Sequence, residues 1–219
     1  KHDFPIWTTC LAFEIIILLQ KYNYQTIYNS NINSRYNSNA DLRDYVPTIA
    51  TSVPFHLVSK NIIKNDFFKF FNLNYINYLN NPCCFMDHTW GIEYNEEMVA
   101  LLEPNITIIS TNIAENKKQY ISTFKFKKYP IYGVQWHPEK VLFDWENPAI
   151  LHDTFSKYIA RMCAKIFIDA CHLNSHSLHD QSLLVGDDKL YSRDVLMKHI
   201  GMPDKNKKYR QFKSYYFLD

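Results

Sequence analysis

Two widely separated stretches of this chain carry side chains that could do chemistry together. The first reads Phe4-Pro5-Ile6-Trp7-Thr8-Thr9-Cys10-Leu11-Ala12-Phe13-Glu14 and sets a cysteine where a short apolar run meets a helical pattern. The second reads Tyr129-Pro130-Ile131-Tyr132-Gly133-Val134-Gln135-Trp136-His137-Pro138-Glu139-Lys140 and ends an apolar run in His-Pro-Glu. A sharp strand-to-helix turn exposes a sulfur, and the helix N-terminus behind it favours thiolate. The backbone N–H of Leu11 would then point at an oxyanion on the reacting carbonyl. His137 would take the thiol proton and return it to the leaving amine. Glu139 would project to the same side as His137 if strand geometry persisted, and would hold the imidazole tautomer. Nucleophile, proton shuttle and orienting anion are the parts of a thiol hydrolase. Singly, a buried cysteine is most often inert core and a strand-end histidine most often structural. Their context and order in the chain make the combination specific.

These residues need a scaffold, and the chain has one to offer. Its 219 residues can bury a sizeable core. The formal charge of +2 is too small to argue for nucleic acid or a membrane surface as partner. The cluster Lys125, Lys127 and Lys128, beside Lys117 and Lys118, reads as a solvated strand face. Five cysteines (Cys10, Cys83, Cys84, Cys163 and Cys171) form no dense disulfide framework, and no spacing suggests zinc. No metal or cofactor is expected. The longest apolar stretch, Ile15 to Leu19, is too short to span a bilayer.

Periodicity places the motifs. Phe4 to Thr9 reads as a buried strand and Leu11 to Tyr22 as a helix apolar nearly all round. The Asn- and Ser-rich residues 23–44 read as a loop. Thr48 to Val58 reads as short strands, and the spacing of Ile62, Ile63, Phe67, Phe70 and Phe71 predicts a helix over Lys60 to Phe71. Residues 72–82 are rich in turn formers, and a strand follows around His88 and Trp90. Asn95 caps a predicted short helix ending at Leu102. Ile106 to Thr111, Gln119 to Phe126 and Ile131 to Trp136 read as strands. Ala149 to His172 is a long amphipathic pattern with Phe155, Ile159, Met162, Ile166 and Ala170 facing inward. Leu190 to Ile200 reads as helical and Tyr209 to Asp219 as an aromatic, basic tail. Strands interleaved with helices predict an α/β three-layer sandwich with a mainly parallel central sheet. Reactive groups collect at the carboxyl ends of such strands, where both motifs fall.

The two blocks resemble the signature blocks of the gamma-glutamyl hydrolases, folate polyglutamate hydrolases of the class I glutamine amidotransferase-like superfamily. The resemblance extends to Asp87-His88-Thr89-Trp90 with Asn95-Glu96, to Phe143-Asp144-Trp145-Glu146, to the long helix, and to Phe212-Lys213-Ser214-Tyr215-Tyr216-Phe217. It implies Cys10 as nucleophile, His137 and Glu139 as its catalytic partners, and His88 with Trp90 at the substrate. The implied reaction is cleavage of a gamma-glutamyl amide through a thioester acyl-enzyme, then water. The implied substrate is a folate polyglutamate, the implied assembly a homodimer, and the implied location lysosomal or secreted. That location suits Asn105-Ile106-Thr107 as a glycosylation acceptor. Residues 1–180 are expected to form the catalytic domain, with 181–219 an extension packing on it. The chain opens on Lys1 and its first motif lies ten residues in, so further N-terminal strands are expected to precede it.

Two residues depart from the pattern. Thr8 and Ala12 stand where the family has glycines. β-Branched Thr8 is expected to crowd the elbow, at about 1–3 kcal/mol, which keeps a catalytically impaired relative of the same fold as an alternative. A glutaminase domain feeding ammonia to a synthase shares a Cys elbow and a His-x-Glu. Trp136, the Phe143-Asp144-Trp145 block and the lack of a synthase pattern after residue 172 weigh against it.

Overall fold

The structure, a computed structural model, describes residues 4–22 and 42–175. They fall in the unit Lys1–Asn174 and its boundary. The loop expected over 23–44 (for the most part), the helix over Leu190 to Ile200 and the packing of 181–219 lie outside the described residues.

Among the described residues, six strands and five α-helices follow in order: β1 (Ile6–Thr9), α1 (Leu11–Lys21), β2 (Asp44–Pro54), α2 (Leu73–Ile76), β3 (Pro82–Gly91), α3 (Glu96–Leu102), β4 (Ile106–Ile113), β5 (Gln119–Phe126), β6 (Ile131–Val134), α4 (Pro138–Phe143) and α5 (Thr154–His172). Four strands form one sheet in the order β1-β6-β5-β4, while β2 and β3 pair antiparallel as a separate ribbon. The α/β class is as the sequence predicts. The sheet is mixed: β1 and β6 run parallel, whereas β5 is antiparallel to both its neighbours. The antiparallel part follows from sequence-adjacent strands, since β4, β5 and β6 are joined by links too short for parallel crossovers.

Neighbouring residues of β5 reach different cores, as strand alternation requires. Ile121 joins Phe13, Ile17 and Leu18 of α1, with Leu102 of α3. Tyr120 joins Ile159, Cys163 and Ile166 of α5, with Met86 of β3. The sheet thus lies between α1 on one side and α5 with the ribbon on the other, which gives the three layers. Of the inward candidates on α5, Ile159, Ile166 and Ala170 are buried, while Phe155 and Met162 pack half-buried at the edge of that core.

Helix starts obey local chemistry. The Asn95 side chain accepts from Met98 N–H at 2.9 Å, as the sequence predicts. Asp153 accepts from Phe155 and Ser156 N–H, so α5 begins at Thr154 rather than Ala149. The helix expected over Lys60 to Phe71 is instead two short 3-10 turns, Lys60–Lys64 and Asp66–Phe68. Asn65 separates them because its side chain accepts from Phe67 N–H at 2.9 Å, starting a new turn in place of continuing the old. The apolar spacing still buries Phe67, Phe68 and Phe71. The turn-rich stretch contains α2 and a further 3-10 turn. All five cysteines are free thiols.

Candidate active site

Cys10 stands between β1 and α1 with φ 53 and ψ −115. This is a conformation non-glycine residues rarely hold, and one that concentrates at reactive turns. The elbow is pinned from β6: Cys10 N–H donates to the Val134 carbonyl at 2.9 Å, continuing the parallel register that pairs Thr9 with Val134. The chain leaving β6 therefore passes directly beside the sulfur. Leu11 is the first residue of α1, and its N–H is one of those a helix start leaves without an intrahelical acceptor.

β6 ends at Val134, two residues short of the expected Trp136. Gln135 N–H donates to Ser122 and His137 N–H to Phe85, each at 2.9 Å, so the segment is clamped between β5 and β3. Trp136 is buried, with its indole N–H donating to Thr123 Oγ1 at 3.2 Å. His137 then precedes α4, with Pro138 in the first helical position that its fixed φ suits. The expected alternation of His137 and Glu139 along a strand is thus replaced by a helical turn. Their contact survives, with Nδ1 and Oε1 2.7 Å apart. Burial works against charge on His137. The nearby Cys10 sulfur and the Glu139 side chain outweigh that and raise it from the usual 6.5 to about 9. The imidazole is protonated at neutral pH, with the Cys10 sulfur and the Glu139 side chain beside it. An apolar cavity of about 320 Å³ adjoins Glu139, walled by Trp7, Leu142, Phe143 and Phe167.

The other thiols are placed differently. Cys84 and Cys163 are buried, and burial pushes both up, as for inert core thiols. Cys171 is exposed on α5. Cys10 is partly exposed and lies close enough to His137 for each to influence the other.

His88 lies on β3, buried, with Nδ1 3.1 Å from the Trp90 carbonyl and its ring edge-on to Tyr120. Burial lowers it to about 4, only partly opposed by the Trp90 carbonyl, and the charge of His137 lowers it further. It is therefore neutral, and its Nε2 is buried without a hydrogen-bond partner. Half-buried Trp90 packs edge-on against Tyr45. Its carbonyl is what orients His88. Asn105 is exposed in the turn between α3 and β4.

Thr8 does not crowd the elbow. Its side chain is buried, its hydroxyl donates to the Tyr132 carbonyl at 3.1 Å, and it lies in register opposite Gly133. A Cβ on Gly133 would come within 2.7 Å of Thr8 Oγ1 and 2.3 Å of the Phe124 ring. The glycine across the strand pair makes the room that the threonine fills. Ala12 faces solvent and displaces nothing.

Three polar residues at the site escaped the reading of the motifs. Glu14 is buried one turn along α1, and it receives Gln135 Nε2 at 2.9 Å and Arg43 Nη1 at 2.8 Å. The signal was a lone acidic residue inside an otherwise apolar helix. Arg43 had no local signal, because only the fold carries it there. Among the described residues no group of three His, Cys, Asp or Glu side chains could hold a metal ion. No described helix is long and apolar enough to cross a membrane.

Fold and site together define an α/β chain with a cysteine at a strand-to-helix elbow, beside a histidine–glutamate pair at the start of the helix that follows the neighbouring parallel strand. Its sequence relatives are more particular: they are gamma-glutamyl hydrolases. The chain is 28% identical to human gamma-glutamyl hydrolase over 82% of its own length and 51% of that protein. For gamma-glutamyl hydrolase 1 of Arabidopsis thaliana the identity is 29%, over 84% of this chain and 49% of the relative. For gamma-glutamyl hydrolase B of Dictyostelium discoideum it is 26%, over 83% and 48%. The chain spans about half the length of the curated relatives it matches. No protein-family model matches it. A solved GMP synthase component from Thermoplasma acidophilum aligns over 80% of this chain and 63% of its own, at 15% identity and a TM-score of 0.39, too distant to support an argument.

Proposed function

We propose that the chain is the catalytic part of a cysteine hydrolase that cleaves gamma-glutamyl amide bonds of folate polyglutamates. The observation that carries this reading is the elbow itself: Cys10, pinned to the end of β6 by its N–H bond to the Val134 carbonyl, stands beside the segment that carries His137, whose Nδ1 lies 2.7 Å from Glu139. With the thiol proton held by His137, Cys10 Sγ attacks the amide carbonyl, and the Leu11 N–H meets the developing oxyanion. His137 gives its proton to the departing amine, leaving a thioester on Cys10. It then takes a proton from water, which attacks the thioester and releases the acid. Glu139 holds the imidazole tautomer and supports its charge throughout. His88, neutral and held by the Trp90 carbonyl, is read as a substrate-binding residue with Trp90, its buried, unpartnered Nε2 being uncovered when substrate binds.

The relatives' names support the bond cleaved, and the accommodation of Thr8 and Ala12 supports an active rather than an impaired enzyme. A lysosomal or secreted location with a glycan on exposed Asn105, and a homodimer, complete the reading.

The test incubates the full natural product with a folyl polyglutamate at acidic and neutral pH, with Cys10→Ala alongside. Mass spectrometry reads the chain lengths. Shortening that disappears in Cys10→Ala supports the hydrolase. A folded protein that leaves the substrate intact refutes it and favours the impaired relative. Turnover by Cys10→Ala within about tenfold of wild type, far less than loss of a covalent nucleophile costs, sinks the nucleophile assignment.

A further inference from the structure

The Phe143-Asp144-Trp145-Glu146 block takes no part in the chemistry proposed above. Its tryptophan is held in place and yet left 61% exposed. One face of the indole lies on the His152 imidazole, with ring centroids 3.8 Å apart and planes inclined by 12°. His152 is itself anchored, because its Nδ1–H donates to the Val141 carbonyl of α4 at 2.9 Å. The backbone around the indole is pinned as well. The Asp144 side chain accepts from Glu146 N–H at 3.2 Å, and that of Asn147 from Ala149 N–H at 3.0 Å. The ammonium of Lys157, on α5, stands 4.9 Å from the centroid of the indole. Among the described residues Lys157 takes part in no ion pair. A ring already fixed loses little freedom on binding. An aromatic surface beside a cation suits an aromatic ligand that carries an anion.

We propose that Trp145 and Lys157 form a binding site for an aryl carboxylate: the benzoyl ring of a folyl glutamate stacks on the indole, and a glutamyl carboxylate of the same molecule meets the ammonium. The proposal rests on the reading of the chain as a hydrolase of folate polyglutamates. It names the surface that tells a folyl tail from a plain glutamate chain. Covalent dimensions allow one molecule to touch both this site and the triad. The helical steps through α4 and two extended ones beyond Phe143 put the Trp145 backbone at most about 16 Å from that of His137. In an extended folyl glutamate the benzoyl ring stands about 10 Å from the γ-carbonyl, and the side chains at either end span the remainder.

Two ligands test this without any turnover, since neither has a gamma-amide to cleave. p-Aminobenzoylglutamate carries the ring and the carboxylates; acetylglutamate carries the carboxylates alone. Affinities are read by isothermal titration calorimetry on the full natural chain. The wild type should bind aminobenzoylglutamate about tenfold more tightly than acetylglutamate, the scale of one aromatic stack. Trp145→Ala should erase that preference, and Trp145→Phe should keep it to within about threefold. Lys157→Met should weaken aminobenzoylglutamate by about threefold, the scale of an exposed ion pair, and should not weaken uncharged p-aminobenzamide. Should Trp145→Ala not fold, the Lys157→Met comparison decides. A wild type that binds both glutamates equally, a Trp145→Ala that keeps the preference, or a Lys157→Met that leaves aminobenzoylglutamate unmoved or weakens both aryl ligands alike would overturn the proposal. A ring preference that depends on Trp145, in a protein that cleaves no folyl polyglutamate, refutes only the proposed reaction. Hydrolysis of folyl polyglutamates without a ring preference refutes this site alone.

Discussion

Glu139→Gln separates electrostatic support of His137 from mere packing. Glu139 Oε1 lies 2.7 Å from His137 Nδ1, on a side chain that is 52% exposed. The rise of His137 from 6.5 to about 9 corresponds to roughly 3 kcal/mol in favour of the imidazolium. Burial opposes that charge, and Cys10 and Glu139 together supply the gain. Half-exposed Glu139 is screened by solvent, so its share is discounted to about 1 kcal/mol, or about one pH unit. The glutamine amide keeps the size and an acceptor oxygen but loses the charge. The His137 midpoint should therefore fall to near 8, followed through its ring Cε1–H resonance and assigned with His137→Gln. Because the folded-state value lies above the usual one, the stabilisation is complete below about pH 6.5 and is lost as pH rises through about 9. Glu139→Gln should accordingly be less stable than wild type by about 1 kcal/mol at pH 6 and equal to it near pH 10. Turnover should fall by about ten- to a hundredfold as orientation is lost. A midpoint within about 0.3 unit of wild type would refute the electrostatic argument, and so would a stability difference that persists at high pH.

Cys10→Gly should abolish turnover yet raise the denaturation midpoint, because glycine relieves a φ of 53 that costs a cysteine about 1–3 kcal/mol; a lower midpoint would mean the elbow is not strained. Thr8→Gly should lower stability by about 1–2 kcal/mol, through loss of the bond to the Tyr132 carbonyl and of the atoms packed over Gly133, with no gain in activity. A faster enzyme would revive the crowded elbow. His88 is held near 4 when folded, so the unfolded chain takes up its proton first and stability should decline as pH falls from about 6.5 to about 4. His88→Gln should flatten that slope in urea titrations at stepped pH; an unchanged slope would show that another group causes it.

Local order was legible wherever it depended on neighbours in the chain. The apolar run before Cys10, the all-round apolar helix after it, the Asn95 cap and the alternation of β5 each specify their element through contacts or periods of a few residues. The side chains proposed as the catalytic set were legible as types: a thiol at a turn, and a His–Glu pair after a strand. The sequence alone did not show how His137 and Glu139 meet, because Pro138 turns the chain into a helix where strand alternation was expected. Nor did it show that Asn65 divides one expected helix, since a side-chain bond there competes with an apolar period that both shapes satisfy. Tertiary structure decided the rest. Parallel pairing of β1 with β6 brings Cys10 and His137 together from positions 127 residues apart, a contact no local period encodes. The same pairing sets Thr8 opposite Gly133, so a residue that reads as an obstruction in one strand becomes the filling for a gap in the next. Arg43 reaches Glu14 only because the ribbon delivers it there. The depth at which that pair lies is likewise set by packing between elements distant in the chain, which no local pattern encodes.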